Sequence, residues 1–255
     1  MIDLARATRE IDAAAARGEY FPEAWRRKLD LAGGYAVQLG RLDRRLAEGK
    51  RQAGWKVGLT APAIQRQFEV HEPVFGWLLE EGRLASPAKL DHAGLIAPGF
   101  ETEIAMELDA DLAGPAVDRD AAARAVARVY PAFEVIETRG AFSGDLPLAL
   151  ADNAQQKAFV LGPAFARWRE VDLAQVTVAV GIDGRVVAEG KGSDVLGHPL
   201  DSLAWLARAL ARHGRKIAAG QIVITGSLVR QFPIARGNRI SARFDPLGEV
   251  AIIAG

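Results

Sequence analysis

The chain of 255 residues contains no cysteine, which excludes disulfides, thiolate zinc sites and cysteine nucleophiles together. It also lacks an excess of either charge. Lys+Arg and Asp+Glu number 32 each, so no overall field draws it toward nucleic acid or an anionic membrane. No apolar run approaches the ~18 residues of a membrane span, and the opening Met-Ile-Asp-Leu-Ala-Arg has neither the basic start nor the apolar stretch of a secretory leader. These absences lead us to expect a cytoplasmic protein whose partners are small molecules and protein surfaces. The four histidines, His71, His92, His198 and His213, stand too far apart for a local zinc motif. A Gly-x-Ser-x-Gly nucleophile elbow is missing, and the glycine-bearing run 190–199 matches neither the dinucleotide fingerprint nor the P-loop spacing.

What is present is an ordinary globular composition, 49% hydrophobic, enough to bury a sizeable core. Residues 2–48 read as two helices, with apolar positions three and four apart, a break near Gly18 to Pro22, and Gly33-Gly34 weakening the second. From Gly54 the pattern turns to short β-rich runs: 54–59, 75–79, 100–108, 130–138, 157–162, 176–182, 185–190, 221–225, 239–244 and 249–254. Asp183-Gly184 marks a hairpin turn. Helices are expected at about 61–68, 119–129 and 199–213, the last opening on Pro199. Many strands and few helices predict an α+β chain of mixed β architecture, with a helical segment over 1–50 and a catalytic domain over 51–255.

The most informative run is 100–108, Phe-Glu-Thr-Glu-Ile-Ala-Met-Glu-Leu. Strand alternation sets Glu101, Glu103 and Glu107 on one face and Phe100, Ile104, Met106 and Leu108 on the other. Some thirty residues later Glu134 sits inside another apolar run, where an ionised carboxylate is costly unless a cation or hydrogen bonds offset it. Two carboxylates from one strand and a third from another form half of an oxygen octahedron suited to Mg²⁺ or Mn²⁺. The same Glu-x-Glu pattern also describes a solvated strand face. Lys56, alone in the apolar run 54–58, would be desolvated, which lowers an amine's pKa and suits it to proton transfer; a lysine on an edge strand reads the same way. Asp152 either orients a substrate or the lysine, or begins an Asx turn. Thr225-Gly226-Ser227 offers hydroxyl and backbone donors for a carboxylate, or plain turn chemistry.

Seven segments in order carry a resemblance: Gly54-Trp55-Lys56-Val57-Gly58-Leu59-Thr60, Glu72-Pro73-Val74-Phe75-Gly76, Glu101-Thr102-Glu103-Ile104-Ala105, Phe133-Glu134-Val135-Ile136, Ala151-Asp152-Asn153-Ala154, the run 192–200 and Thr225-Gly226-Ser227-Leu228. Together they resemble the 2-keto-4-pentenoate hydratase and 4-oxalocrotonate decarboxylase branch of the fumarylacetoacetate hydrolase superfamily. The resemblance implies a mixed β-sandwich roll, an assembly of several subunits, and a divalent metal, Mg²⁺ or Mn²⁺, held by Glu101, Glu103 and Glu134. It further implies Lys56 and Asp152 as catalytic residues, and Leu59, Thr225, Gly226 and Ser227 as substrate contacts. The implied activity is that of a lyase on dienol 2-oxo acids in aromatic catabolism. Hydration comes first, with decarboxylation and acylpyruvate hydrolysis as alternatives, and a non-catalytic subunit of a mixed assembly as the reading of another class. Two positions depart from the hydratase pattern: Val74 stands where an acidic residue is frequent, as in the decarboxylase relatives, and Gln155 where a serine is frequent. Glu72, by alternation on the face of Val74, is a candidate substitute for that acid.

Overall fold

The computed structural model describes residues 2–255. Its helices are α1 (Leu4–Ala16), α2 (Leu31–Ala47), α3 (Pro62–Gln67), α4 (Arg119–Ala125), α5 (Leu146–Ala151) and α6 (Pro199–Ala211). The strands are β1 (Gln52–Gly58), β2 (Val74–Leu79), β3 (Arg83–Ala85), β4 (Ala88–Leu90), β5 (Pro98–Leu108), β6 (Val126–Glu137), β7 (Gln156–Leu161), β8 (Thr177–Ile182), β9 (Arg185–Lys191), β10 (Ile222–Ser227), β11 (Phe232–Pro233), β12 (Arg239–Asp245) and β13 (Gly248–Ala254). Among the described residues no helix is long and apolar enough to cross a membrane.

The first sheet runs β2-β1-β10-β5-β6-β7-β3, with β11 added beside β5. It curls until β2 comes against β7, which makes it a roll with a concave and a convex face. Strand alternation sorts the side chains between these faces. On the concave side Ala105, Ala132, Ile222, Ile224, Phe159 and Leu161 form a buried layer of their own. On the convex side Phe100, Ile104, Met106, Phe133 and Val135 join the main core with β12, β13 and α6. The second sheet, β4-β13-β12-β8-β9, lies against this convex face through β6 and β7.

The expected elements are found, together with the short strands β3, β4 and β11 that the sequence pattern does not announce, and three further points differ. The helix expected over 119–129 stops at Ala125, because the alanine run ends there and the β-branched Val126 begins the pairing with Leu108 on β5. Helix α5 is legible only from its caps: Asp145 accepts from the Leu148 N–H, and Pro147 occupies the first turn. The two glycines do not interrupt α2, and Gly34 lets it close on α5. Buried Gln38 completes the join, donating from Nε2 to the carbonyls of Phe75 and Leu150 at 3.0 and 2.9 Å. The hairpin at Asp183-Gly184 has both residues at positive φ, the conformation of a two-residue hairpin turn.

A methyl group at Gly34 would stand 2.4 Å from the Pro147 carbonyl oxygen, a backbone atom that cannot swing aside. Gly34→Ala is therefore expected to destabilise the protein by about 1–3 kcal/mol. The check is a urea midpoint that falls at constant slope; an unchanged midpoint would mean that α2 and α5 separate freely.

Candidate metal centre and active site

Glu101 and Glu103 face the concave side of β5, and on β6 Glu134 lies directly opposite Glu101 in register. The roll brings the three together: one carboxylate oxygen from each lies within 4.8 Å of the others. Glu103 and Glu134 are fully buried, whereas Glu101 reaches the cavity above them. Glu107, two turns of the alternation further along the same face, is outside the cluster and pairs with Arg128 and Tyr130 instead.

Lys56, on β1, crosses the concave face to place Nζ 3.1 Å from Glu134 Oε2. The remaining support for the acidic cluster is backbone. The Gly226 N–H donates to Glu103 Oε2 at 2.6 Å, at a point where β10 loses register with β5 between Ile224 and Ser227. Gly226 has a φ of 112°, and a Cβ there would meet Thr60 at 2.5 Å, so this donor position requires glycine.

Burial and charge set the protonation of the cluster. Burial pushes the Glu103 carboxyl well above the ordinary carboxylate range, and the neighbouring Glu134 and Glu101 add to the shift. Burial likewise raises Glu134, to about 7, with Lys56 opposing. For Lys56 burial acts downward, the direction anticipated from its apolar run, but Glu134, Glu101 and Glu103 outweigh it and the net shift is upward. Among these carboxylates Lys56 is a held ammonium.

A cavity of about 620 Å³ opens above the cluster. Lys56, Glu101, Thr60 and Ser227 lie on its lining, together with an apolar group of Leu59, Ile64, Phe68, Val74 and Phe142. Phe68 and Phe142 meet edge to face, 5.3 Å between centroids. Val74 is buried and on this wall, while Glu72 is not: its carboxylate is taken by Arg212 at 2.9 Å and by the Trp205 indole, in a neighbouring groove. The strand begins only at Val74, so alternation does not extend back to Glu72.

Three of the anticipated site residues are off the cavity lining: Gly226, buried with its N–H spent on Glu103, and two that stand behind the wall. Thr225 is fully buried, donating from Oγ1 to the Ile104 carbonyl and accepting at its own carbonyl from Ser202. Asp152 is buried against Arg41 and Arg139 and is not on the cavity lining. Gln155 does line the cavity, and its Nε2 donates to the Gly140 carbonyl at 2.9 Å. Sequence reasoning missed Thr60, Phe142 and the loop 138–143, which lack periodicity; the buried amide Asn153 had only its place beside Asp152 as a signal.

The model of the fumarylacetoacetate (FAA) hydrolase C-terminal family matches residues 84–252. The chain is 35% identical to the 2-hydroxyhexa-2,4-dienoate hydratase of Comamonas testosteroni, over 86% of this chain and 84% of that one. It is equally 35% identical to the 4-oxalocrotonate decarboxylase of Pseudomonas putida, over 88% and 85%. Its fold superposes on 4-oxalocrotonate decarboxylase from Pseudomonas putida G7, solved with magnesium and adipate, at a TM-score of 0.92 and 32% identity, covering 99% of this chain and 97% of that one. With its mixed sheets, its rolled β core and relatives of both activities across most of its length, the chain belongs to the fumarylacetoacetate hydrolase family, in the branch of the hydratases and 4-oxalocrotonate decarboxylases.

Proposed function

We propose that the protein is a divalent-metal-dependent lyase of dienol 2-oxo acids, first of all a 2-keto-4-pentenoate-type hydratase that forms a 4-hydroxy-2-oxo acid. The observation that carries this reading is a buried lysine facing three convergent carboxylates at a cavity whose lining joins polar groups, Arg230 among them, to the apolar Leu59, Ile64, Phe68, Val74 and Phe142.

The residues fit a metal. Glu103 Oε1 and Glu134 Oε1 are buried without a hydrogen-bond partner, and Glu134 Oε2 has the Lys56 ammonium alone, at 3.1 Å. Orphaned oxygens of this kind call for a further cation, and an all-carboxylate donor set suits Mg²⁺ or Mn²⁺. Glu101, Glu103 and Glu134 would hold the ion, which when bound supplies Lewis-acid polarisation of a 2-oxo acid.

The chain's own residues do the rest. Lys56 Nζ carries a proton at the floor of the cavity and exchanges it with substrate carbon as the dienol becomes the ketone. The Gly226 N–H keeps Glu103 aimed at the cluster, and Ser227 and Thr60 line the substrate's polar end. Leu59, Val74, Phe68 and Phe142 exclude water from the tail. A decarboxylase is the second reading, favoured by Val74. With Glu72 turned away, Glu101 is, among the described residues, the one acid on the lining, and no further carboxylate of theirs stands ready to orient an attacking water. Part of the same reading is a cytoplasmic assembly of several copies, with itself or a paralogous subunit.

The deciding experiment offers dienol 2-oxo acids with and without a terminal second carboxylate and follows ultraviolet loss and carbon dioxide release separately. Hydration of the monocarboxylic set is expected; carbon dioxide from the dicarboxylic set alone would transfer the assignment to the decarboxylase. Turnover should vanish in excess chelator and return with Mg²⁺ or Mn²⁺, and full activity in chelator would remove the metal from the site. Lys56→Met should keep metal affinity while kcat falls by the ~10²- to 10⁴-fold typical of a lost general acid or base. Unchanged turnover in that variant would leave Lys56 without a catalytic part.

The shifted carboxyls also predict a pH dependence of stability. Glu134 titrates near 7 when folded and in the ordinary carboxylate range when unfolded, so its protonated form is favoured by folding. Its contribution is complete below the unfolded pKa and is lost as pH rises through about 7. In chelator the wild type should therefore lose stability relative to Glu134→Gln between about pH 4.5 and 7. Parallel urea midpoints for the two proteins across that range would contradict the assignment.

A further inference from the structure

Asp152 ends α5 at 5% exposure, and two arginines hold it. Arg139 Nε donates to Asp152 Oδ2 at 2.7 Å, and Arg41 Nη1 donates to Oδ1 at 3.3 Å. The same guanidinium groups also grip the backbone on both sides: Arg41 Nη1 donates to the Ala151 carbonyl at 2.7 Å, and Arg139 Nη2 to the carbonyls of Asp152 and Gln156 at 3.0 and 3.4 Å. Between these anchors run Asn153, Ala154 and Gln155, at φ values of 57°, 50° and 63°. Three successive left-handed residues without a glycine persist only where their surroundings over-determine them.

The turn has work to do on both flanks. Ala154 and Gln155 form part of the cavity wall, and Gln155 holds the Gly140 carbonyl of the opposite loop. Asn153 Oδ1 accepts from the Trp77 N–H at 2.8 Å, and its Nδ2 donates to the Trp77 carbonyl at 2.9 Å. It therefore packs on β2 beside Gly76, whose missing side chain leaves room for the Lys56 stem: a Cβ there would lie 3.2 Å from Lys56 Cγ. The arginines are themselves fixed from outside the site, Arg41 by Asp12 of α1 at 3.1 Å and Arg139 by Glu137 at 2.9 Å.

We infer that Asp152 is a positioning residue: its clamp between Arg41 and Arg139 forces the left-handed turn 153–155, which sets the cavity wall and the bed of Lys56. The N-terminal helices thereby take part in the site, through Arg41 and Asp12, without touching substrate. The kinetic arm of the test rests on the lyase reading; a second arm does not.

Asp152→Asn should lower kcat by about 10²-fold, the scale of a misplaced catalytic group, with metal affinity little changed. The apparent pKa values of the kcat/KM profile should stay where they are; loss of one limb would make Asp152 a proton-transfer group and overturn the inference. Ala154→Gly relieves a left-handed position, so added to Asp152→Asn it should restore about five- to tenfold of the lost kcat. Absence of rescue would also overturn it. Should Asp152→Asn fail to fold, Arg139→Gln leaves the aspartate in place and must show the same loss and rescue; full activity there would refute the clamp. Amide exchange at Trp77, whose N–H is held by Asn153, reads the turn without substrate. It should quicken in Asp152→Asn and slow again with Ala154→Gly, and an unchanged rate would refute the clamp even if no dienol acid proved to be a substrate.

Discussion

Repulsion among three carboxylates inside one rolled sheet is the constraint that the rest of the structure answers. Their oxygens lie within 4.8 Å of one another; at an effective dielectric of about 20, each like-charged pair at that distance repels by roughly 3–4 kcal/mol. Three such pairs approach the whole stability of an ordinary domain, about 5–15 kcal/mol. One ammonium, that of Lys56, offsets part of this, and protonation of Glu103 and Glu134 or a divalent cation must supply the remainder. On the proposed function, chemistry and stability are set by the same few atoms, for which protons and a divalent cation would compete.

A site loaded in this way needs a rigid frame, and the frame is visible in the backbone. Leu59, Asn153, Ala154 and Gln155 all stand at positive φ, and all lie at or beside the cavity. Each such residue costs of order 1–3 kcal/mol, so tertiary contacts must hold it there. For Leu59 the contact is the Gln65 side chain, which donates to its carbonyl at 2.8 Å and ties the end of β1 to α3. For the others it is the arginine pair with Asp152, and Gln155's own bond to Gly140. Strain gathers where precise placement of Lys56 and of the cavity wall is required.

Hydration and decarboxylation ask the same first step of this site, proton movement at a polarised 2-oxo acid, and differ in what sits at the far end of the substrate. The cavity lining carries both the apolar Val74, Leu59, Phe68 and Phe142 and the cation Arg230, a surface for a hydrocarbon tail and a partner for a second carboxylate. The relatives at 35% identity include both activities.

Alternation along 100–108 was enough to place Glu101 and Glu103 on one face, and the cost of a charge in an apolar run was enough to single out Glu134 and Lys56, because strand period and desolvation act locally. The order of the longer strands and helices was legible for the same reason, apart from α5, whose signal lies in a cap, and the end of α4, where an alanine run abuts a strand; the two- and three-residue strands β3, β4 and β11 are too short for alternation to show. Tertiary structure alone decided the rest. The curl of the sheet brings β1 across from β6, turning an anticipated low-pKa lysine into a held ammonium, since the sign of its shift depends on carboxylates far away in the chain. Strand β2 begins only at Val74, and Glu72 before it is turned outward to Arg212. Arg41 and Arg139, distant from each other in sequence, meet at Asp152 and make it part of the wall's support, an arrangement that no local pattern encodes because it exists only once α2, α5 and β6 have packed together.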